Sequence, residues 1–180
     1  MRSPGRTPRA MLDNNGGYFN ESAIGFKRWK DLHGVKNKSL NKECNDKEAR
    51  KALEKISDEY SYKSLLAIMN SRLIRYELNS NRRSNIHIYP DDWKVIKIPR
   101  MNAEAKEVLE SLVDTILSLH ADQQRPELEQ DIDKTEQEID LLVYHLYSLI
   151  YDDVLIVDPE TSISKEEYEQ YRTDLNVLTN

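Results

Sequence analysis

Two apolar stripes at helical spacing constrain this chain more than any other feature of its sequence. Val108, Leu109, Leu112, Val113, Ile116 and Leu117 fall on one face of one helix; Leu128, Ile132, Ile139, Leu142, Val143, Leu146 and Leu149 fall on one face of the next. Left in water, each such side chain forgoes roughly 1.5–3 kcal/mol of burial. The spacing therefore predicts two long helices packed antiparallel across a break at residues 123–126, where Pro126 suits a first helical turn but not a helix interior.

Ahead of the pair the pattern is mixed. Residues 1–17 combine Pro4, Pro8, Gly5, Gly16 and Gly17 with three arginines and read as a disordered or turn-rich lead-in. Residues 18–30 (YFNESAIGFKRWK) read as strand material bent at Gly25, and Gly34, the last glycine, marks a loop. Asn45, with Glu48 three residues on, can cap a short helix bearing Ala49, Leu53 and Ile56. A second helix starting near residues 58–61 carries Leu65, Leu66, Met69, Leu73 and Tyr76 on one stripe. After a polar, basic loop, residues 85–89 (NIHIY) and 94–98 (KVIKI) alternate like two short strands, each ended by a proline. Beyond the long helices, VLIV at 154–157 reads as a strand or a buried turn. Ser164 and Glu167 have capping-box spacing for a last, marginal helix whose tail frays from Thr173. The expected fold class is α+β, predominantly helical: short strands and helices followed by an antiparallel helix pair.

Charge divides the chain where the pattern changes. Residues 1–100 hold 21 Lys and Arg against 12 Asp and Glu, a net +9, and residues 101–180 hold 5 against 20, a net −15. A phosphate-facing part joined to a solvent- or protein-facing part would show this asymmetry, which the overall −6 conceals. There is no run of about 18 apolar residues and no apolar stretch behind the N-terminal arginines, so no membrane partner is expected and a soluble, cytoplasmic protein is. The single cysteine, Cys44, offers neither a disulfide framework nor C-x-x-C metal spacing.

Few residues are spaced for catalysis. Pro90-Asp91 followed by Glu104-Ala105-Lys106 satisfies the loose Pro-Asp…Glu-x-Lys pattern of metal-dependent nucleases, but Glu104 and Lys106 open a helix, where two residues are separated by roughly 200°. His33, His87, His120 and His145 form no i, i+4 pair, and His145 reads as structural. No Gly-rich phosphate loop is present, and no cofactor is expected in this chain. What remains are nucleic-acid residue types: Lys27, Arg28, Lys30, Arg82, Arg83, Asn85, His87, Tyr89 and Lys94. Lys and Arg can neutralise phosphates, and Arg and Asn can make bidentate hydrogen bonds to guanine and adenine edges. The alternatives are an acidic helical pair at residues 103–150 that binds another protein and, behind it, a metal-dependent nuclease through Asp91, Glu104 and Lys106.

Two stretches, in order, resemble a known family. YKSLLAIMNSRLIRYEL leading through a basic loop to NIHIYPDDWKVIKIP (residues 62–99), then EIDLLVYHLYSLIYDDVLIVDPE (residues 138–160), are similar to the TaqI-like C-terminal specificity domain of adenine-specific DNA methyltransferases, including type IIG restriction-modification enzymes. The resemblance covers roughly residues 18–160 and implies a partial DNA target-recognition domain over residues 18–100 and a helical scaffold over 101–160, ahead of the marginal helix and tail over 161–180. It implies double-stranded DNA as partner, with a methyltransferase core in trans or missing from this fragment. S-adenosylmethionine would belong to that parent enzyme. The Asn-Pro-Pro-Tyr type motif that holds a flipped adenine is absent from these 180 residues, so the implied role here is recognition without catalysis.

Overall fold

The computed structural model describes residues 8–17, 23–81, 83, 88–121 and 128–175, of which 172–175 by backbone alone. A 3₁₀ turn, Trp29–Leu32, precedes α1 (Lys38–Glu43), α2 (Lys47–Asp58), α3 (Tyr62–Asn70), α4 (Arg72–Asn81) and α5 (Pro90–Lys94). The long helices α6 (Ala103–Ala121) and α7 (Leu128–Leu146) follow, then α8 (Tyr151–Val157) and α9 (Lys165–Leu175).

Most helix starts are written locally. Asn37 accepts from Leu40 N–H at 2.8 Å, Asp46, in place of the expected Asn45, from Ala49 N–H at 2.7 Å, and Asn102 from Ala105 N–H at 2.8 Å. The expected Ser164/Glu167 box is present, with Ser164 N–H donating to Glu167 Oε2 at 2.8 Å and Glu167 N–H to Ser164 Oγ at 3.2 Å. Far from any glycine, α7 ends on Ser148 in the left-handed region (φ 57), with Leu149 N–H reaching back to Tyr144 O at 3.0 Å.

The body of the molecule is α6 packed along α7, with α3 lying against α6 and touching α7, α4 against α3, α7 and α8, and α9 against α8. The six residues between α6 and α7 span at most ~3.6 Å each, too little to return along a 19-residue helix of ~28 Å. The pair is therefore antiparallel, as the stripes predict. Ile68, Ile74, Leu78, Leu109, Leu142, Val143, Tyr144 and Val154 are fully buried at its centre. His145 is buried too, stacked on Tyr168 at 4.2 Å, a structural position.

The α+β expectation is corrected: among the described residues there is no strand. Residues 18–22 and 84–87 lie outside the description. Residues 23–28 are irregular and run into the 3₁₀ turn, where Arg28 pairs with Asp31. At residues 89–94 proline starts a helix instead of ending a ladder: Pro90 occupies the first turn of α5 and Asp92 accepts from Tyr89 N–H at 2.7 Å. Residues 95–98 do alternate, with Val95 61% exposed and Ile96 and Ile98 packed on the core. The period of two is a burial pattern there, without a neighbouring strand to complete a ladder. VLIV is the end of α8: Tyr151, Val154 and Val157, three apart, face the core, while Ile156 is 59% exposed.

The single helix expected from residues 58–61 onward is two helices. Ser71 (ψ 154) ends α3, and its Oγ accepts from Ile74 N–H at 3.3 Å to begin α4. The break re-aims the second stripe, so that Leu73, Ile74 and Leu78 are buried and Tyr76 is 39% exposed.

Candidate nucleic-acid interface

The basic half is not one surface. Residues 23–58 form an arm in which neither the 3₁₀ turn nor α1 nor α2 contributes a buried residue. Polar and aromatic contacts hold it. The Arg50 guanidinium donates to Leu32 O at 2.7 Å and Val35 O at 3.0 Å, pairs with Glu54, and lies 5.7 Å from the Trp29 ring centroid. Arg28 ties the arm to the body: Nη1 donates to Tyr60 O at 2.6 Å, and the guanidinium sits 4.6 Å over the Tyr62 ring. Tyr62 Oη in turn donates to Asp31 at 2.7 Å. Arg28 first and Tyr62 second hold the Asp31 carboxyl below its ordinary pKa.

Intramolecular acids occupy much of the expected DNA-facing set. Besides Arg28, Lys30 is paired with Asp58, Arg83 lies 3.6 Å from Asp91, and Lys94 is 3.0 Å from Glu43 and 3.4 Å from Asp91. Glu43, then Asp91, raise the pKa of Lys94. Lys27 is exposed, and Tyr89 is 46% exposed at the start of α5. Arg82, Asn85 and His87 lie outside the described residues. Arg83, Tyr89 and Lys94 are thus brought around α5, and the neighbourhood of Lys27 is joined to it by Phe26 packing edge-on against Trp93 at 5.3 Å.

Besides Lys27, several cations outside the expected DNA-facing set are open. Lys36, Lys38, Lys42, Lys47 and Lys55 are exposed and have no ion-pair partner among the described residues. Lys47, Lys51 and Lys55 recur every four residues and so share one face of α2, with only Lys51 paired, to an equally exposed Glu48 at 2.7 Å. The i, i+4 lysine spacing was the available signal.

A second polar cluster lies in the body. Asp140, 4% exposed on α7, accepts from Arg72 N–H at 2.7 Å and pairs with Arg72 Nε at 3.2 Å, while Arg72 Nη1 reaches Asp158 at 2.6 Å. Burial pushes the Asp140 carboxyl up to about 6, against the pull of Arg72. Burial also works against the Arg72 charge, but Asp158, then Asp140, outweigh it and its pKa is raised. Asp158 is therefore the principal counter-ion, and Asp140 chiefly an acceptor for the first turn of α4. A cavity of about 140 Å³ adjoins the cluster, lined in part by Gln137, Tyr144 and Thr161. Two of its carboxylates, Asp140 and Asp158, pair with the Arg72 guanidinium and Glu160 lines the cavity beside them, an arrangement that binds α4, α7 and the end of α8 together.

The nuclease-like residues are placed as their spacing requires. Asp91 is engaged by Arg83 and Lys94, while Glu104 and Lys106 point to different sides of the first turn of α6. Among the described residues no three His, Cys, Asp or Glu side chains are grouped to hold a metal ion, and no helix is long and apolar enough to cross a membrane. Comparison with models of protein families, with curated proteins and with solved structures finds no match to this chain.

Proposed function

We propose that this chain is a DNA-recognition module, the specificity portion of an adenine-specific DNA methyltransferase of a restriction-modification system, working beside a catalytic core that lies outside these 180 residues. The observation that supports it best is the exposed lysine face of α2, with Lys38 and Lys42 exposed on α1. Like charges four apart on a helix destabilise it by roughly 0.2–0.5 kcal/mol per pair, and internal acids leave most of this face open to an external polyanion. Duplex DNA neutralises such a face and releases its own counterions, which gives affinity without sequence preference. Selection among sequences then falls to groove contacts from the neighbouring α5 region, where Arg83, Tyr89 and Lys94 converge.

This division changes which residues matter. Arg28 and Lys30 hold the arm in place, and Lys36, Lys38, Lys42, Lys47 and Lys55 make the phosphate contacts. Fluorescence anisotropy with a labelled duplex between 50 and 200 mM salt tests it. Replacing Lys42, Lys47 and Lys55 together by Gln lowers the log–log salt slope by up to about 2.7, at about 0.9 per lost phosphate contact. An affinity insensitive to salt, or a slope unchanged in the triple variant, would overturn the proposal.

A further inference from the structure

Residues 8–12 run beside a groove between α3, α6 and α7, and the way they are held suggests a ligand more than a part of the fold. The Asn70 side chain, at the end of α3, reads residue 10 through its backbone alone: Ala10 N–H donates to Oδ1 at 2.8 Å, and Nδ2 donates to Ala10 O at 3.0 Å. Pro8 is fully buried, yet Met11 is 72% exposed. The groove is lined by Leu66, Ala67, Val113, Ile116 and Ile139, and a space of about 320 Å³ remains open between them and the segment. The apolar cluster is built of side chains from α3 to α9 and the segments between them, and of residues 8–12 only Pro8 is fully buried.

Each of these features has a physical meaning. A side-chain amide that satisfies both the N–H and the C=O of one residue binds extended backbone whatever its side chains. Lining atoms that face empty space forgo dispersion contacts, so the occupant does not fill its site to the density of a protein interior. A ligand attached by a short linker needs little affinity of its own, because the linker sets an effective concentration on the order of mM.

We propose that residues 8–12 form a displaceable strap: an internal peptide ligand in a groove that binds extended chain by its backbone, and that the same segment of a second copy can occupy in its place. This is independent of DNA binding. The strap covers the apolar lining when it is seated and exposes a docking groove when it leaves.

The test uses the full chain and, as probe, a dye-labelled peptide of residues 8–14. Ala10→Pro in the full chain removes the N–H that Asn70 accepts and lies outside the core. In this variant, amide exchange over residues 8–12 rises while α6 and α7 stay protected. The probe binds at least tenfold tighter than to the wild-type chain, where the tethered strap competes. Adding Asn70→Ala abolishes that gain. Three results would each overturn the proposal: an Ala10→Pro chain that fails to fold, one that keeps residues 8–12 protected, or one that releases them without binding the probe.

Discussion

The arm and the body are built from similar helices held by different forces. Residues 23–58 carry ten Lys and Arg against six Asp and Glu, and the 3₁₀ turn and helices within them contribute no buried residue. Residues 59–171 carry twelve against 23 and contain the whole apolar cluster. α2 is strongly two-sided in sequence, yet Ile56 is 43% exposed, whereas Leu142 on α7 is fully covered. Amphipathic spacing gives a helix a face to bury; whether that face is buried depends on whether another element arrives to cover it. Where none does, a few guanidinium contacts hold the segment, and the energy at stake in any one is of order 1 kcal/mol instead of several.

The sharpest way to break this contrast is to place the same charge in both regions. Leu142→Asp buries an unpaired carboxylate in the core and abolishes the cooperative thermal transition, while Ile56→Asp in the arm shifts its midpoint by no more than a few degrees. Equal effects would show that the arm is part of the core.

Asp140 gives the next largest effect. Its native carboxyl keeps its proton up to about 6, above the ordinary 3.8, so the stability it lends is fully present below 3.8 and is lost as pH rises through about 6. Asp140→Asn keeps the acceptor for Arg72 N–H and removes the titration. Between pH 4 and 7 the wild-type chain should therefore lose of order 2–3 kcal/mol relative to the variant, measured by denaturant unfolding across that range. A constant difference would mean that Arg72 keeps Asp140 ionised throughout.

The smallest effect belongs to the arm. Arg50→Ala removes the donor to Leu32 and Val35 and the packing on Trp29, about 1–2 kcal/mol of local stability. Hydrogen exchange should quicken across α2 and leave α6 and α7 unchanged. Loss of protection in all three would make the arm and the body one cooperative unit.

How much of this was legible in the sequence varies with the range of the interactions. The α6 and α7 stripes and the Ser164 and Glu167 box could be read directly, because each rests on spacing within a turn or two of helix, whereas His145 was read as structural only from the lack of a histidine at i, i+4, and its partner Tyr168 lies on another helix. Residues 94–98, read as a strand, and 154–157, read as a strand or a buried turn, were misread because alternation, or a short apolar run, records which side chains are covered and not what covers them. Pro90 has the same ambiguity, since one fixed φ suits both the end of a strand and the first turn of a helix. On the candidate interface, residue type was readable and availability was not. Lys30, Lys94 and Arg83 look like phosphate ligands until Asp58, Glu43 and Asp91 are folded against them.

The sequence by itself determined an antiparallel pair of long helices, a basic half ahead of an acidic one, and the caps that start most helices, because spacing, charge and capping act over neighbouring residues. Tertiary structure alone decided that Ser71 would divide one apolar stripe into two helices around Asp140, that no described strand would form, and that Lys38, Lys42, Lys47 and Lys55 would stay open while Lys30 and Lys94 found acids of their own. Each of these depends on a partner dozens of residues away, whose approach is set by how the core closes and not by the local pattern.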